Sequence, residues 1–350
     1  MGASQESNRE LLSCNRRQRS SLDAPANLTL IDPCEGIFEY RDKSASPRLG
    51  PHHMAEPREA LKPNLRAFWH DIMSRSLFGI ADEIGKKTIS DFGEQWRLFR
   101  SNSGYYGNAE LLQDIIFPFI SLADIAGKSC AEIGAGTGRF PLILVQAGAA
   151  HVTAIEPSDA YEVLLENTAS MRDKITCLKI SGEYIPEAGF DLVLAIGVIH
   201  HIPAPKPVLD AAWRSLKDGG RILIWVYGRE GNEFYLPLAK TIRVITRRLP
   251  TRMNYALAAM IYGPAMLYAF LCSRFKWLPL SDYAANVFLR FGAAERKVVI
   301  LDQLNPEWAR YYRRHEAERL LADSGFSQIQ SYHRRNYSWT VTGQKVVANS

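Results

Sequence analysis

A glycine-rich segment near the middle of the chain holds the residues best suited to binding a small polar ligand. It follows the apolar strand-like run at 129–133 and precedes a helical stretch, and its sequence is Glu132-Ile133-Gly134-Ala135-Gly136-Thr137-Gly138-Arg139. Glycines allow the backbone to turn sharply and to approach a ligand closely, and the first N–H groups of a following helix can bind polar ligand groups. The dinucleotide fingerprint G-x-G-x-x-G needs glycine at position 139, where this chain has Arg139. The spacing therefore disfavours a nicotinamide dehydrogenase.

A second acidic residue follows the next predicted strand, HVTAI (151–155). Glu156 comes 18 residues after Gly138, and Pro157 follows it. A carboxylate at such a strand end can accept two hydrogen bonds from the hydroxyls of a ribose. A tight turn without a ligand would explain the glycine-rich segment alone. The combination of that segment, the acid and the strand context favours a nucleoside-containing ligand.

The elements that must position these residues alternate between strand and helix. Five apolar strand-like runs with helical stretches between them end near 227, the alternation stops for about eighty residues, and a helix with two further strand-like runs follows. The runs are SCAEI (129–133), HVTAI (151–155), ITCLKI (175–180), FDLVLAI (190–196), RILIWVY (221–227), FSQIQSY (326–332) and YSWTVTG (337–343). Apolar strands that alternate with helices predict a parallel sheet covered on both faces.

Further motifs lie downstream of Glu156 in a specific order. They are Ser181-Gly182-Glu183-Tyr184-Ile185-Pro186, Phe190-Asp191-Leu192-Val193, Gly197-Val198-Ile199-His200-His201-Ile202-Pro203 and Leu216-Lys217-Asp218-Gly219-Gly220-Arg221. The joint set resembles the class I S-adenosylmethionine (SAM)-dependent methyltransferases, in their type 11/12 small-molecule branch. The resemblance covers 110–230 closely and 315–343 weakly. It implies an α/β fold with a Rossmann-like, seven-stranded, mostly parallel sheet, and S-adenosyl-L-methionine as the cofactor.

The resemblance also implies roles for single residues. The methionine part of the cofactor is expected to contact Glu132, Gly134, Ala135, Gly136, Thr137 and Gly138. The ribose is assigned to Glu156 with Pro157 beside it, the adenine to Ser181, Gly182 and Glu183, and the pocket floor to Ile196 and Gly197. Family members often carry an acid where this chain has Ser181. Adenine recognition is therefore expected to use Glu183 or backbone groups.

Two adjacent histidines are the candidates for catalysis. Methyl transfer from a sulfonium is an in-line displacement, so positioning supplies much of the acceleration. A general base is needed only if the acceptor must lose a proton. His200 and His201 follow the fourth predicted strand, at the sheet edge where ligands bind, and histidine titrates near neutral pH. Two interpretations stay open: one of them is the base, or both pack at a strand-to-helix turn.

The motifs and the element pattern together predict five regions. A poorly periodic segment (1–60) precedes a helical lead-in (61–110) and the SAM-binding core (111–228). A helical insertion (229–310) follows the fifth strand, and a final helix with the last strand pair (311–350) completes the core. Cys14 and Cys34 lie in a stretch similar to a degenerate zinc ribbon, but the partner positions of two C-x2-C pairs are missing. No metal site is therefore predicted.

The insertion carries the positive charge of the chain. Residues 229–290 hold nine Lys/Arg and three Asp/Glu, whereas the whole chain has a net charge of +5. Within it, 253–273 contains no charged residue. A spanning helix needs about 20 apolar residues, but Asn254 and the Gly263-Pro264 pair argue against one. An apolar lid over the acceptor site and an interfacial, lipid-touching element with basic flanks both remain open.

Composition sets the outer limits of the function. The 350 residues are 47% hydrophobic and 23% charged, with five scattered cysteines, which excludes a disordered chain and a disulfide scaffold. The first twenty residues contain no apolar h-region, so a cytoplasmic enzyme is expected, with a peripheral contact at the inner membrane face as an open addition. The leading hypothesis is methyl transfer to a small-molecule or lipid-linked acceptor. An RNA methyltransferase, disfavoured because no RNA-binding module is recognisable, and a non-catalytic SAM-binding interaction protein are the alternatives.

Overall fold

Seven strands form a single sheet in the computed structural model, which describes residues 62–246, 248–304 and 307–347. The spatial order is β3-β2-β1-β4-β5-β7-β6, and the first five strands run parallel while β7 is antiparallel to both neighbours. The strands are β1 (Ser129–Ile133), β2 (His151–Ile155), β3 (Ile175–Leu178), β4 (Phe190–Ile196), β5 (Leu216–Tyr227), β6 (Ser327–Arg334) and β7 (Ser338–Gln344). The predicted seven-stranded, mostly parallel α/β sheet is confirmed.

Helices cover both faces of this sheet. The helices are α1 (Lys62–Leu98), α2 (Ala109–Ile116), α3 (Arg139–Gln146), α4 (Tyr161–Asn167), α5 (Lys206–Ser215), α6 (Tyr235–Thr246), α7 (Thr251–Arg274), α8 (Ser281–Asn286), α9 (Ala293–Leu304) and α10 (Arg314–Ala322). Alternate residues of a strand point to opposite faces. Leu192 and Leu194 of β4 accordingly pack with α2 and α3, whereas Val193 and Ala195 pack with α5 and α10.

The fifth strand is longer than the apolar run RILIWVY predicts. Its ladder with β4 already pairs Phe190 with Leu216, and a register irregularity then leads to the pair Leu192–Arg221. Gly219 within this stretch has a φ of +75°, which suits a residue without a Cβ. The turn-like sequence Lys217-Asp218-Gly219-Gly220 is therefore a kinked start of β5, because the edge of β4 still offers hydrogen-bond partners there.

The insertion after β5 forms a helical layer of its own. Helices α6 to α9 lie between β5 and α10, and α7 packs against both α8 and α9 through small and apolar side chains such as Ala258, Ala269 and Leu301. The chain leaves the sheet at Gly228 and returns beside it at Tyr312, which forms a parallel bridge with Gly228. The predicted helical insertion after the fifth strand is confirmed, and the zinc-ribbon-like stretch at 1–60 lies outside the described residues.

Candidate active site

A cavity of ≈ 880 Å³ opens at the carboxyl ends of the parallel strands. Its wall includes the loops after the strands, the second half of α1, and helices of the insertion with Tyr311 and Tyr337. This is the edge at which open α/β sheets bind ligands. The volume lies in the upper part of the range of roughly 300–1,000 Å³ that is typical of ligand pockets.

The glycine loop turns back from β1 toward β2 before α3 begins. The N–H groups of Gly134 and Ala135 both donate to the Ile155 carbonyl, at 2.8 and 2.9 Å. The φ of Gly134 is +74°, and a Cβ there would overlap the Val198 side chain. Gly136, with a φ of +53°, faces Trp96 of α1 across the cavity, since a Cβ at this position would lie 3.6 Å from the indole Nε1. The loop therefore needs glycine both for its conformation and for its close neighbours.

Glu156 ties this loop to the end of β2. Its Oε2 accepts the Gly136 N–H at 2.8 Å and its Oε1 accepts the Ser158 N–H at 2.9 Å. The side chain is buried within the fold but lines the cavity. A carboxylate oxygen has two lone pairs, so each oxygen keeps one for a ligand hydroxyl.

Glu132, at the end of β1, is a buried acid without a protein partner for its Oε2 among the described residues. The residue is 1% exposed and lines the cavity. Burial raises the pKa of this carboxyl to about 8, although the positive charge of Arg139 acts in the opposite direction. An unpaired buried carboxyl is costly, so its place at the cavity wall points to a cationic ligand group.

Arg139 contributes a positive charge to the same wall. Its guanidinium lies 3.9 Å from the Tyr106 ring centroid and 4.2 Å from that of Phe140. One of its N–H groups donates to the Tyr106 carbonyl at 3.3 Å. A guanidinium held in this way is suited to a ligand carboxylate. The part of the cavity wall formed by Glu132, Arg139 and Glu156, called the cofactor half below, presents two acids and a cation. These groups are complementary to the ammonium, ribose and carboxylate groups of SAM.

The other half of the cavity is mainly aromatic and belongs to β5 and the insertion. Its lining includes Tyr106, Trp225, Tyr227, Tyr283, Phe288 and Phe291. Gln303 organises the polar part of this wall. Its Oε1 accepts the hydroxyls of Tyr235 and Tyr311, at 3.0 and 2.9 Å, and its Nε2 donates to the Tyr227 hydroxyl at 2.9 Å. The network holds Tyr227 in place. Because the Tyr227 hydroxyl accepts this hydrogen bond, its own proton remains available for donation to a ligand.

Asp302, the neighbour of Gln303 in α9, is the acid of this second half. Its carboxylate lines the cavity and accepts a hydrogen bond from the Gln95 amide of α1. Burial raises the pKa of Asp302 to about 6, while the Gln95 hydrogen bond and the charge of Arg139 act to lower it. Among the described residues in this half of the cavity wall, Asp302 is the one carboxylate whose surroundings raise its pKa close to neutral pH.

His200 and His201 differ in whether they reach the cavity. His201 lines the cavity, and its Nδ1 donates to the Trp308 carbonyl at 2.8 Å, while burial lowers its pKa to about 3. His200 is fully buried and is not among the cavity-lining residues. It stacks on Tyr227 with ring centroids 4.0 Å apart, neither of its ring nitrogens has a partner among the described residues, and burial holds its pKa well below the ordinary value. This environment favours packing over catalysis for His200.

Comparison with known proteins identifies the core. Residues 131–224 match the family described as "Methyltransferase domain". A tRNA U34 carboxymethyltransferase of Desulfotalea psychrophila is 32% identical over 120 residues, which are 33% of this chain and 37% of that protein. A ubiquinone biosynthesis O-methyltransferase of Pseudomonas entomophila is 27% identical over 119 residues, which are 33% of this chain and 50% of that protein. The core is a class I SAM-dependent methyltransferase domain.

The similarity is confined to part of each protein. The chain spans between about a third and half of the length of these two curated relatives. Among solved structures, the magnesium protoporphyrin IX methyltransferase of Synechocystis PCC 6803 with bound S-adenosylhomocysteine is 12% identical. That comparison covers 72% of this chain and 93% of the other, with a TM-score of 0.43. The match to the methyltransferase domain supports SAM as the cofactor.

The methyltransferase domain brings nearly all the predicted cofactor residues to one cavity. Those that line it are Glu132, Gly134, Ala135, Gly136, Thr137, Glu156, Pro157, Ser181, Gly182, Glu183, Ile196 and Gly197. Gly138 is not among the lining residues. Its φ is +83° and a Cβ there would lie 2.8 Å from Leu164 Cδ1, so it allows α3 to pack against α4.

Several lining residues of the methyltransferase domain and its insertion were missed by the sequence analysis. Arg139 entered only as an argument against a dinucleotide, and Trp96, Asp302 and Gln303 were not assigned to the site. A signal existed for Asp302, which is the single acid in the apolar run VVILDQL (298–304). A lone charge within an apolar helical stretch often marks a site, since burying it costs free energy.

Proposed function

We propose that the protein is a SAM-dependent methyltransferase that acts on a small-molecule acceptor. The observation that carries this proposal is one cavity in which Glu132, whose Oε2 has no partner among the described residues, and the loop-bound carboxylate of Glu156 face an aromatic chamber, called the acceptor chamber below. The first part complements a charged nucleoside cofactor, and the second offers apolar ring faces to a separate molecule. The match of residues 131–224 to the methyltransferase domain supports the same assignment.

The residues of the cofactor half have distinct tasks in this proposal. SAM, when bound, supplies a methyl group that is already activated by its sulfonium. Glu132 binds the ammonium group, Arg139 binds the carboxylate, and Glu156 accepts hydrogen bonds from the ribose. Trp96 covers the glycine loop and excludes water from the region above Gly136. Fixed charges and the exclusion of solvent hold the reacting groups in position. This positioning is the main contribution that a methyl transfer needs from the protein.

Calorimetry with S-adenosylhomocysteine tests the cofactor assignment. Wild-type protein is expected to bind, and Glu156→Ala should bind at least tenfold more weakly because charge-assisted hydrogen bonds are lost. Glu162→Ala, which changes an exposed acid of α4, is the matched control and should bind like the wild type. No binding by the wild type at millimolar ligand would refute the proposal. Binding without release of S-adenosylhomocysteine in any acceptor screen would favour the non-catalytic alternative.

The exposed side of the insertion supports a lipid surface as the place of action. Apolar side chains on α6, α7 and the segment after α7 are exposed: Phe234, Leu238, Ile245, Met253, Met260, Leu267, Phe270, Phe275 and Trp277. Between positions 234 and 281 the sequence has seven Lys/Arg and no Asp/Glu. Among the described residues, five of these cations are exposed: Lys240, Arg248, Arg252, Arg274 and Lys276. An apolar helix with cationic ends matches an anionic bilayer surface in both hydrophobicity and charge.

The helix is proposed to lie in the membrane surface rather than to cross it. Among the described residues, Arg252–Arg274 is long and apolar enough to span a bilayer by length and composition. Its inner face, however, packs on α8 and α9, and Ala265, Tyr268 and Ala269 line the cavity. A spanning orientation would break this packing. An in-plane orientation places the lipid surface next to the acceptor chamber, so the proposal includes lipid-linked acceptors and a cytoplasmic protein at the inner membrane face.

Vesicle flotation tests the surface. The protein is expected to float with vesicles in which about a third of the phosphatidylcholine is replaced by phosphatidylglycerol, and to bind more weakly as salt rises. The double variant Met260→Glu/Leu267→Glu should stay unbound without unfolding, because both side chains are exposed. Val347→Glu changes an exposed apolar residue outside the insertion and serves as the control. A wild type that remains unbound at low salt would refute the proposal, and salt-dependent RNA binding in its place would favour the RNA methyltransferase.

A further inference from the structure

We infer that Asp302 is the general base of the proposed methyl transfer and that the acceptor presents a phenolic hydroxyl to it. The inference rests on the proposed function and adds a catalytic residue and a substrate class. It starts from the position of Asp302 on α9, at the wall of the acceptor chamber. Asp302 belongs to the insertion, so none of the methyltransferase motifs between 131 and 224 includes it.

The contact with α1 links Asp302 to the glycine loop of the cofactor half. The Gln95 amide donates to Asp302, and the next residue, Trp96, packs over Gly136 of the glycine loop. The positive charge of Arg139, the first residue of α3, acts to lower the pKa of both Asp302 and Glu132. Gln95 therefore contacts Asp302 of the acceptor chamber. The adjacent Trp96 contacts the glycine loop, which holds the methionine part of the cofactor in the proposed function.

Burial favours proton uptake by Asp302 near neutral pH, whereas the groups that face it oppose uptake. Gln95 donates a hydrogen bond and Arg139 is the nearby cation, while the charge of Asp302 itself raises the pKa of the hydroxyls of Tyr106, Tyr227 and Tyr283. Burial outweighs the first two and raises the pKa of Asp302 to about 6. A base is most effective when its pKa lies near the working pH. Asp302 is then largely ionised at pH 7 and still basic enough to take a proton.

His201 is the competing base at the cavity wall, and its environment is less suited. Its Nδ1 proton is committed to the Trp308 carbonyl, which leaves Nε2 as the only basic atom. Burial lowers the pKa of His201 to about 3, three pH units below that of Asp302. A base that is weaker by this amount gives a much smaller driving force for proton removal. The comparison therefore selects Asp302.

The chamber around Asp302 suits a planar hydroxylated ring. Tyr106, Trp225 and Tyr283 offer aromatic faces and edges, against which a ring can stack or pack edge-on. The Tyr227 hydroxyl, oriented by Gln303, can donate a hydrogen bond to a second oxygen on the ring. In the reaction, Asp302 takes the proton of the acceptor hydroxyl, and the acceptor oxygen bonds to the methyl carbon. The methyl–sulfur bond breaks, and its electron pair stays on the sulfur.

The test measures transfer to catechol and 3,4-dihydroxybenzoate across pH, together with calorimetry of S-adenosylhomocysteine. Wild-type protein should methylate a hydroxyl oxygen, with kcat falling as pH drops below about 6. Asp302→Asn should lower kcat by about 10²- to 10⁴-fold and remove the acidic limb, while the affinity for S-adenosylhomocysteine stays unchanged. Glu233→Gln, which changes an exposed acid of the same insertion, is the matched control. Asp302→Glu should recover part of the activity.

A second variant keeps the inference testable if Asp302→Asn does not fold. Gln95→Ala removes the hydrogen bond that lowers the pKa of Asp302, so the acidic limb of the kcat profile should move to higher pH. An unchanged limb in Gln95→Ala, or wild-type kcat in Asp302→Asn, would overturn the inference. Loss of cofactor affinity in Asp302→Asn would assign the residue to the cofactor site. A wild type that binds the cofactor but methylates neither phenol would overturn the substrate class alone, whereas absent cofactor binding would refute the proposed function itself.

Discussion

Glu132 shows how a single residue can be kept for binding at the expense of stability. The carboxyl is buried, its Oε2 has no partner among the described residues, and its pKa is raised to about 8. The folded protein therefore holds a proton on Glu132 that the unfolded chain would release above its ordinary pKa of 4.5. Such a group lowers the free energy of unfolding increasingly as pH rises from about 4.5 to 8. This cost is offset only when a cation binds.

Glu132→Gln should raise stability while it weakens cofactor binding. The neutral amide removes the cost of ionising a buried acid, so the free energy of unfolding should increase by as much as about 3 kcal/mol at pH 7. The gain should nearly vanish at pH 4.5, where the folded wild-type carboxyl is protonated and only about half of the unfolded chains have lost this proton. Urea denaturation at the two pH values measures it. A variant that is less stable than the wild type at pH 7 would contradict the assigned ionisation.

Cofactor binding should also release a proton through Glu132. At pH 7 the free protein has this carboxyl mostly protonated, and a bound ammonium group would favour the carboxylate because opposite charges lower the pKa of an acid. Calorimetry with S-adenosylhomocysteine in phosphate and in Tris should give different enthalpies, corresponding to the release of up to one proton. In Glu132→Gln the two enthalpies should coincide. Equal enthalpies in the wild type would place the ammonium elsewhere.

At the scale of elements, the β1–loop–α3 unit fixes the cofactor half. The glycine loop is held on one side by hydrogen bonds to Ile155 and Glu156, and on the other by Val198 at the end of β4. Positive φ and steric contact act together at Gly134. Neighbouring strand ends thus determine the shape of the loop, and the loop in turn determines where α3 begins with Arg139.

Two glycine substitutions separate the conformational cost from the steric cost. Gly189 has a φ of +68° and open space where a Cβ would go, whereas Gly134 has a φ of +74° and the Val198 side chain in that place. Gly189→Ala should destabilise by about 1 kcal/mol, the usual cost of a left-handed residue. Gly134→Ala should lose clearly more in urea denaturation and should also lose affinity for S-adenosylhomocysteine. Equal losses would show that Val198 moves aside.

At the scale of the whole molecule, Asp114 connects three distant segments. This α2 residue pairs with the buried Arg334 of β6 and, at 2.8 Å, with Arg335, which also reaches Asp282 of α8 at 3.4 Å. The pairs join α2 of the core, the last strand pair and the insertion. Because Arg334 lines the cavity as well, this connection also fixes one side of the acceptor chamber.

Asp114→Ala should therefore destabilise the entire fold. It leaves the Arg334 guanidinium, which is 1% exposed, without its counter-charge, and breaking a buried pair on one side costs roughly 3–5 kcal/mol. Glu110→Ala, which breaks an exposed pair of the same helix with Arg290, is the control and should change stability little. Thermal unfolding followed by circular dichroism measures both. A similar melting temperature for the two variants would refute the role of Asp114.

The sequence predicted the parts of the molecule that depend on local patterns. The strands of the parallel sheet follow continuous apolar runs, and the glycine loop and Glu156 follow motif spacing. The acceptor chamber depends on which faces of α1 and α9 turn inward, which only the tertiary packing decides. Trp96 and Asp302 come from these two helices and line the same cavity as Gly136, from which they are 40 and 166 positions away in the chain. His200 shows the converse, because its place in a motif does not reveal that Tyr227 covers it.

The bridge between Gly228 and Tyr312 makes the insertion a replaceable module. The chain leaves β5 and returns at adjacent points, since Tyr312 N–H donates to the Tyr227 carbonyl at 2.9 Å and Arg229 N–H donates to the Tyr312 carbonyl at 2.8 Å. Segments whose ends lie together can be exchanged with little change to the host fold. Grafting the segment between these two residues onto another methyltransferase core would transfer the part of the cavity wall that α8 and α9 supply together with the exposed apolar side of α7. Under the proposed function, substrate choice and membrane contact would then be inherited as one unit.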